Sequence, residues 1–365
     1  MKKRIWALLI AASMLATLSL TGCSAETEEE SSTASVESSE DSSVESEEET
    51  TLTDEVIKIY GVIDPQLSAQ QIIAEKMGYY EDLGLNIENV YITSGGDMSS
   101  YIASGEAQVS FETSYTTTPL TASDVEITML ATVNNIGATQ AVVASADSGI
   151  VVPSDMEGKT IGMASGSGVY IAIQECCEAY GVDFDTIEFV TLTSADQLAA
   201  LENGSIDMMA CWEPYVTTAQ EDFGGTLIFT GTHSYFEGYD EDVSWLNFYT
   251  TFQVTDEFLA EYPAECEALL VAYSQATDYI NENMEDAAAI IAEELSLESD
   301  DVYAIMLKNV YDMEWSDDFK EATDVIAQNQ YDNGNIEFVP EFDTYADPTS
   351  LINACPELFT ATNIE

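Results

Sequence analysis

Basic residues are almost missing from this chain. Its 365 residues hold 8 Lys+Arg against 68 Asp+Glu, a formal net charge of −60. Lys2, Lys3 and Arg4 stand together at the N-terminus, which leaves Lys58, Lys76, Lys159, Lys308 and Lys320, and no arginine, for the rest of the chain. Neutralising phosphates takes clustered Lys and Arg, so nucleic acid is excluded as a partner, and an anionic lipid surface is as poor a one. The acidic excess reads as a solubilising surface. Histidine is limited to His233, with no Cys or His at metal-ligand spacing. A zinc site is therefore not expected, nor a Ser-His or Cys-His arrangement unless that one ring serves. No CxxC occurs, and the cysteines after Cys23 (Cys176, Cys177, Cys211, Cys266 and Cys355) are odd in number, two of them adjacent. That pattern argues against a regular disulfide framework. After residue 22 no apolar run is long enough to span a bilayer.

What is present begins with a leader. The three cations are followed by an apolar run over 5–20, and residues 1–22 read as an export signal peptide. The run ends in "LTGC", which resembles the lipobox of bacterial lipoproteins and implies lipidation of Cys23. Residues 24–50 are almost wholly Ser, Glu, Thr and Asp. They have too little apolar surface to offset the entropy of ordering, so 23–53 is expected to be a lipidated cysteine on a disordered tether.

From residue 54 the grammar changes. Residues 56–62 read as a strand, 66–84 as a helix closed by Gly84, 86–92 as a strand, 97–105 as a short helix and 107–113 as a strand. Further strands are expected over 125–133 and 139–145. The pattern restarts with a strand over 159–165, a helix from Ser167 to Gly181, a strand at 187–192, a helix ending at Gly204 and a strand over 206–212. Strands separated by helices predict an α/β protein with largely parallel sheets. A chain of this length exceeds one comfortable core, so two lobes are expected. The strand-like segment 245–255 leads into a helical tail. The second lobe thus reads as inserted in the first: 54–140 plus 251–365 form lobe 1, 141–250 form lobe 2, and the crossings 139–145 and 245–255 form the hinge. The acidic stretch 235–249 lacks EF-hand spacing and reads as a solvated loop.

Two segments echo one another. "YIASGEAQVSFETSY" (101–115) and "ALENGSIDMMACWEPY" (200–215) are each a helix end, a glycine, a buried strand and a polar-aromatic tip. Open α/β sheets bind ligands at the carboxyl ends of their strands, which makes these tips cleft candidates. They carry Ser114, Tyr115, Trp212 and Glu213, and Asn134 and Tyr249 lie at other strand ends. The Gly-rich turns add Ser94, Gly95 and Gly96 in one half and Ser165, Gly166, Ser167, Gly168 and Tyr170 in the other. Backbone N–H groups at such helix starts suit an anion. The aromatic rings could sandwich a flat solute or box an amine, with Glu112 and Glu213 neutralising a cation. Glu213 could equally cap the helix that Pro214 starts.

The order and spacing of "GYYEDLGLNIENVYITSGG", "YIASGEAQVSF", "MEGKTIGMASGSGVYIAI", "LTSADQLAALENGSIDMMACWEPY" and the helical tail resemble the substrate-binding lipoproteins of ABC importers in the nitrate/sulfonate/taurine group, with their thiamine-pyrimidine-binding relatives. That resemblance implies an α/β, two-lobed type II periplasmic-binding-protein fold on a two-strand hinge. It also implies a small solute caught between the lobes, an ABC permease as partner, a monomer at the outer face of the membrane, and neither catalysis nor cofactor. The absence of arginine departs from relatives that hold anions with a basic side chain. A sulfonate or taurine-like zwitterion satisfies both family and charge; a thiamine-precursor pyrimidine or another flat or cationic aromatic solute is the alternative. A thiamine-pyrimidine synthase-like enzyme is a third reading, but its histidine and cysteine-rich motif is missing here. A sensor or adhesin built on the same fold reads no differently in sequence.

Overall fold

Two mixed sheets organise the chain. The computed structural model describes residues 52–93, 95–164 and 167–362. The export signal, Cys23 and almost all of the tether lie outside the described residues.

The first half-lobe runs β1 (Ile57–Val62), α1 (Ala69–Lys76), α2 (Tyr79–Asp82), β2 (Ile87–Ile92), α3 (Gly95–Ala103), β3 (Val109–Thr113), α4 (Ser114–Thr121) and β4 (Ile127–Asn135). One helix was expected where α1 and α2 stand. Gly78, at φ +79°, breaks it, a conformation glycine adopts freely. The chain then crosses to β5 (Gln140–Ala144), β6 (Thr160–Met163), α5 (Val169–Tyr180), β7 (Glu188–Thr191), α6 (Ser194–Glu202), β8 (Met208–Trp212), α7 (Tyr215–Glu221), β9 (Thr226–Thr230), β10 (His233–Phe236) and β11 (Tyr239–Asp242). It returns with β12 (Tyr249–Thr255) and ends in α8 (Asp256–Glu261), α9 (Pro263–Glu282), α10 (Met284–Leu295), α11 (Ser299–Met306), α12 (Asp317–Asp332) and α13 (Thr349–Ala354).

The sheets are ordered β2-β1-β3-β12-β4 and β11-β10-β9-β5-β8-β6-β7. In the first, β1 is parallel to β2 and β3, while β12 is antiparallel to β3 and β4. In the second, β6 is parallel to β7 and β8, while β5 is antiparallel to β8 and β9. The order β7-β6-β8-β5-β9 thus repeats β2-β1-β3-β12-β4 strand for strand. In both sheets the fourth position is taken by the strand that has just crossed over. This corrects the expectation of largely parallel sheets: β5 and β12 arrive from the other sheet and run against their neighbours, which a buried apolar run does not reveal. The expected loop over 235–249 is likewise corrected. β10 and β11 form an antiparallel hairpin pairing Phe236 with Tyr239 and His233 with Asp242. All of β11 is exposed, so no apolar alternation marked it, and its acids blunt a free sheet edge.

The echo between 101–115 and 200–215 extends to hydrogen bonds. Gly105 (φ +76°) and Gly204 (φ +71°) close α3 and α6. Behind them the N–H of Glu106 donates to Tyr101 O at 3.0 Å and that of Ser205 to Ala200 O at 2.9 Å. Each turn then feeds a central strand.

Each sheet has its own core. In the first, Tyr273 of α9 sets its ring 5.0 Å from Phe111 and 4.9 Å from Phe252, all three buried. Fully burying each such ring is worth about 1.5–3 kcal/mol. In the second, Phe229 meets Trp245 edge-on at 5.4 Å, among Val142, Met208 and Phe248. Helix α12 serves both cores, since Phe319 packs in the first and Ile326 in the second. Cys176, Cys177, Cys211, Cys266 and Cys355 are free and buried, and burial pushes the Cys177 and Cys211 thiols up to about 11. Among the described residues no helix is long and apolar enough to cross a membrane.

Candidate functional site

The parallel strands deliver their carboxyl ends to one region. Asp64 lies just beyond β1, Glu112 near the end of β3, Ser114 at the start of α4, Ser167 before α5, and Trp212 and Glu213 at the end of β8. Both sheets contribute, as expected for a ligand crevice in an α/β fold.

Glu112 is the most constrained group. It is 3% exposed. Its Oε2 accepts from the Thr116 hydroxyl at 2.9 Å and from the Thr113 N–H at 3.3 Å, while its Oε1 is buried without a partner. Gly95, the first residue of α3, lies so close that a Cβ there would stand 3.2 Å from Oε1. Burial pushes the Glu112 carboxyl up to about 8; its two donors oppose this, and the neighbouring charge of Asp64 adds to it. Asp64 is itself raised to about 6 by burial, against the opposing N–H of Gln66 at 2.8 Å from Oδ1.

Around this pair the loop after β1 is tied to the second sheet. Gln66 is buried, accepts from the Thr139 hydroxyl through Oε1 and donates from Nε2 to the Glu213 carbonyl at 3.4 Å. Glu213 is 1% exposed. Its Oε1 pairs with Lys308 Nζ, and its Oε2 accepts from the Thr217 N–H at 3.0 Å, capping the first turn of α7. Lys308 follows α11, which packs in the first core, so this ion pair joins the two sheets. Among the described residues the buried hydroxyls of Ser114 and Ser167 have no partner.

The other expected positions divide. Asn134 is fully buried; its Nδ2 donates to Gln66 O at 2.7 Å and its Oδ1 accepts from the Thr250 hydroxyl, so the amide is committed to the scaffold. Trp212 is half-buried at the strand end with its ring edge-on to Tyr215 at 6.5 Å. Tyr115 packs 6.3 Å from Phe248, and its carbonyl accepts from Gln330 at 2.7 Å. Tyr170 stacks with Phe184 and Phe189 at 5.6 and 5.3 Å, and Tyr249 lies in the first core against Phe319 at 5.5 Å. A Cβ on Gly168 would stand 2.7 Å from the Phe248 ring, which makes that glycine a packing requirement. Gly96 falls in the first turn of α3; Ser94, Ser165 and Gly166 lie outside the described residues. Residue patterns alone did not bring out Asp64, Gln66, Thr139 or Lys308. Asp64 had a signal, a carboxylate before Pro65 directly after a strand. Lys308 had none, since only the fold carries it to Glu213.

A family model described as NMT1/THI5 like matches residues 67–287, more than half of the chain. The chain belongs to the NMT1/THI5-like family. A Bacillus subtilis protein named as a binding protein for aliphatic sulfonates is 22% identical over 268 residues, 71% of this chain and 77% of that one. A Brucella abortus binding protein is 21% identical over 166 residues, 46% of this chain and 49% of its own length. Among solved structures, the periplasmic aliphatic sulphonate binding protein SsuA from Escherichia coli superposes with TM-score 0.67 at 15% identity, over 80% of this chain and 92% of that one. The desulfurization enzyme DSZB superposes with TM-score 0.61 at 13% identity, over 83% and 99%. The NMT1/THI5-like chain thus has the two-sheet periplasmic-binding-protein fold, a scaffold that binding proteins share with an enzyme.

Proposed function

We propose that this chain is the solute-binding component of an ABC importer, a monomer held at the outer face of the membrane by lipid on Cys23. Lobe 1 (54–140 plus 251–365) and lobe 2 (141–250) close on a small organic solute, a sulfonate or taurine-like zwitterion, and present it to the permease. The observation that carries this reading is the set of buried, unpartnered polar atoms at strand ends of both sheets: Glu112 Oε1, Ser114 Oγ and Ser167 Oγ. Unpartnered buried polar atoms also occur within the cores of the described residues, Tyr273 Oη among them, so it is the place of these three near strand ends that marks them as atoms a bound solute would satisfy. The sulfonate-binding names of similar proteins support the class.

Catalysis is not part of the proposal. Burial raises the thiol pKa values, so a thiolate nucleophile is disfavoured. His233 sits on the β10–β11 hairpin, bonded to Asp242 at 2.8 Å and Asp240 at 2.9 Å. Closure would be driven by a solute touching both lobes and so binding the closed state more tightly. Small-angle scattering and tryptophan emission, recorded with taurine, alkanesulfonates, nitrate, pyrimidines and amines, test it. A contraction accompanied by an emission change is expected with at least one class; silence across all of them would refute the proposal.

A further inference from the structure

We infer that the corner made by Asp64, Glu112 and Ser114 is a subsite for a protonated amine, so that the captured solute must carry an ammonium or amidinium group. This rests on the solute-binding reading above and names the end of the solute that this site requires.

The first argument is countercharge. Glu112 is buried, Asp64 is half-buried and near enough for its charge to act on Glu112, and every lysine among the described residues is engaged elsewhere. Lys58 pairs with Glu88, Lys76 with Glu294, Lys159 with Asp207, Lys320 with Asp324, and Lys308 with Glu213. Ionised carboxylates taken out of water need a charged partner or a full set of donors. With no cation beside it Glu112 keeps its proton near neutral pH, and a solute that brings a positive charge would favour the carboxylate.

The second argument is hydrogen-bond polarity. Among the described residues Glu112 Oε1 has no partner in a side chain that is 3% exposed, and the hydroxyl of Ser114, two residues on, has none in one that is 1% exposed. An ammonium offers three donors, enough for Glu112 Oε1, Asp64 and the Ser114 oxygen together. A sulfonate or nitrate offers acceptors only, and could not satisfy an unpartnered carboxylate oxygen of Glu112. Among the described residues no group of three Asp, Glu, His or Cys side chains stands close enough to hold a metal ion, which favours an organic cation.

One rival uses the same atoms. A protonated Glu112 could donate to an anionic solute instead. The two schemes predict opposite pH trends, because an ammonium needs the carboxylate and an anion needs the acid.

The experiment uses the full chain and pairs of probes that differ only in the nitrogen: taurine against ethanesulfonate, and benzamidine against benzamide, each titrated by calorimetry at pH 6 and pH 8.5. The expected result is that the amine or amidine member of at least one pair binds at least 30-fold tighter than its counterpart and loses at least tenfold in affinity from pH 8.5 to pH 6. Glu112→Gln and Asp64→Asn should each weaken that probe at least tenfold, with melting temperature and circular dichroism recorded to show that the variants fold. Equal or tighter binding of ethanesulfonate or benzamide overturns the amine subsite, as does binding that strengthens at pH 6 or ignores both variants. In those cases scattering contraction by the same compounds would still uphold the solute-binding reading. Absence of binding by every probe, and by the wider panel above, would remove both.

Discussion

Glu112 shows what a single side chain contributes to a site at the expense of stability. Its folded pKa, near 8, lies above the ordinary carboxylate value. The sign follows from linkage: the stabilising contribution is complete below about pH 4.5 and is lost as pH rises through 8, because the unfolded chain ionises first. Glu112→Gln should therefore match the wild type near pH 4.5 and exceed it by about 1–4 kcal/mol at pH 8.5. Urea midpoints at the two pH values measure the difference, and a constant offset between the proteins would contradict it. Lys308→Met should act in the opposite sense. It removes the partner of Glu213, which is 1% exposed, and leaves a buried carboxylate with the Thr217 N–H as its remaining contact. A loss of about 1–3 kcal/mol at pH 7, recovered in Lys308→Met/Glu213→Gln, is expected in a double-mutant cycle. At this scale the sequence was only half legible. Ser114, Glu112 and Glu213 could be placed because each follows or ends a recognisable buried run. Asp64 and Lys308 owe their importance to neighbours far away in the chain, and pattern reading does not reach across such distances.

Elements were easier to read than residues because their signals are local. β1, β3, β6 and β8 are short, mostly buried runs, and the glycines closing α3 and α6 stand where left-handed backbone is needed. What failed was direction and edge. A buried run is the same for a parallel and an antiparallel strand, so the reversed sense of β5 and β12 was invisible, and α4, with Pro119 inside it, gave no helical signal. Tyr170 and Tyr249 stand near strand or helix ends, where a cleft residue is expected, but their rings pack against Phe184, Phe189 and Phe319. The crossing segments carry an element-scale prediction. A Cβ on Gly137, between β4 and β5, would stand 2.2 Å from the Leu246 carbonyl, between β11 and β12. Backbone cannot yield as a side-chain tip can, so Gly137→Ala must push the two crossings apart, at a cost of about 1–3 kcal/mol. Thermal melting measures the cost. An unchanged midpoint would mean that the crossings are not in contact in solution.

The whole molecule is governed by charge. With 68 acids against 8 basic residues, self-repulsion opposes any compact state. The ion pairs of the five lysines answer only a small part of it, and most are surface pairs of slight worth. The two-lobed plan was legible from the restart of the strand-helix pattern near residue 159, since repetition at that scale survives uncertainty about any one element. The net charge was legible too, but not the burial of Glu112 near Asp64, which took the meeting of β1 and β3 to reveal. Screening should therefore stabilise this protein more than an ordinary domain. Raising sodium chloride from 0.01 M to 0.15 M shortens the Debye length from about 30 Å to about 8 Å, less than the span of one lobe. Long-range repulsion across the molecule is then removed, while the contact pair of Lys308 and the buried Glu213 is only slightly weakened. Melting temperature should rise by several degrees over that range and level off by about 0.5 M, where further shortening of the Debye length changes little. A melting temperature that falls with added salt would show that the lysine pairs outweigh the repulsion.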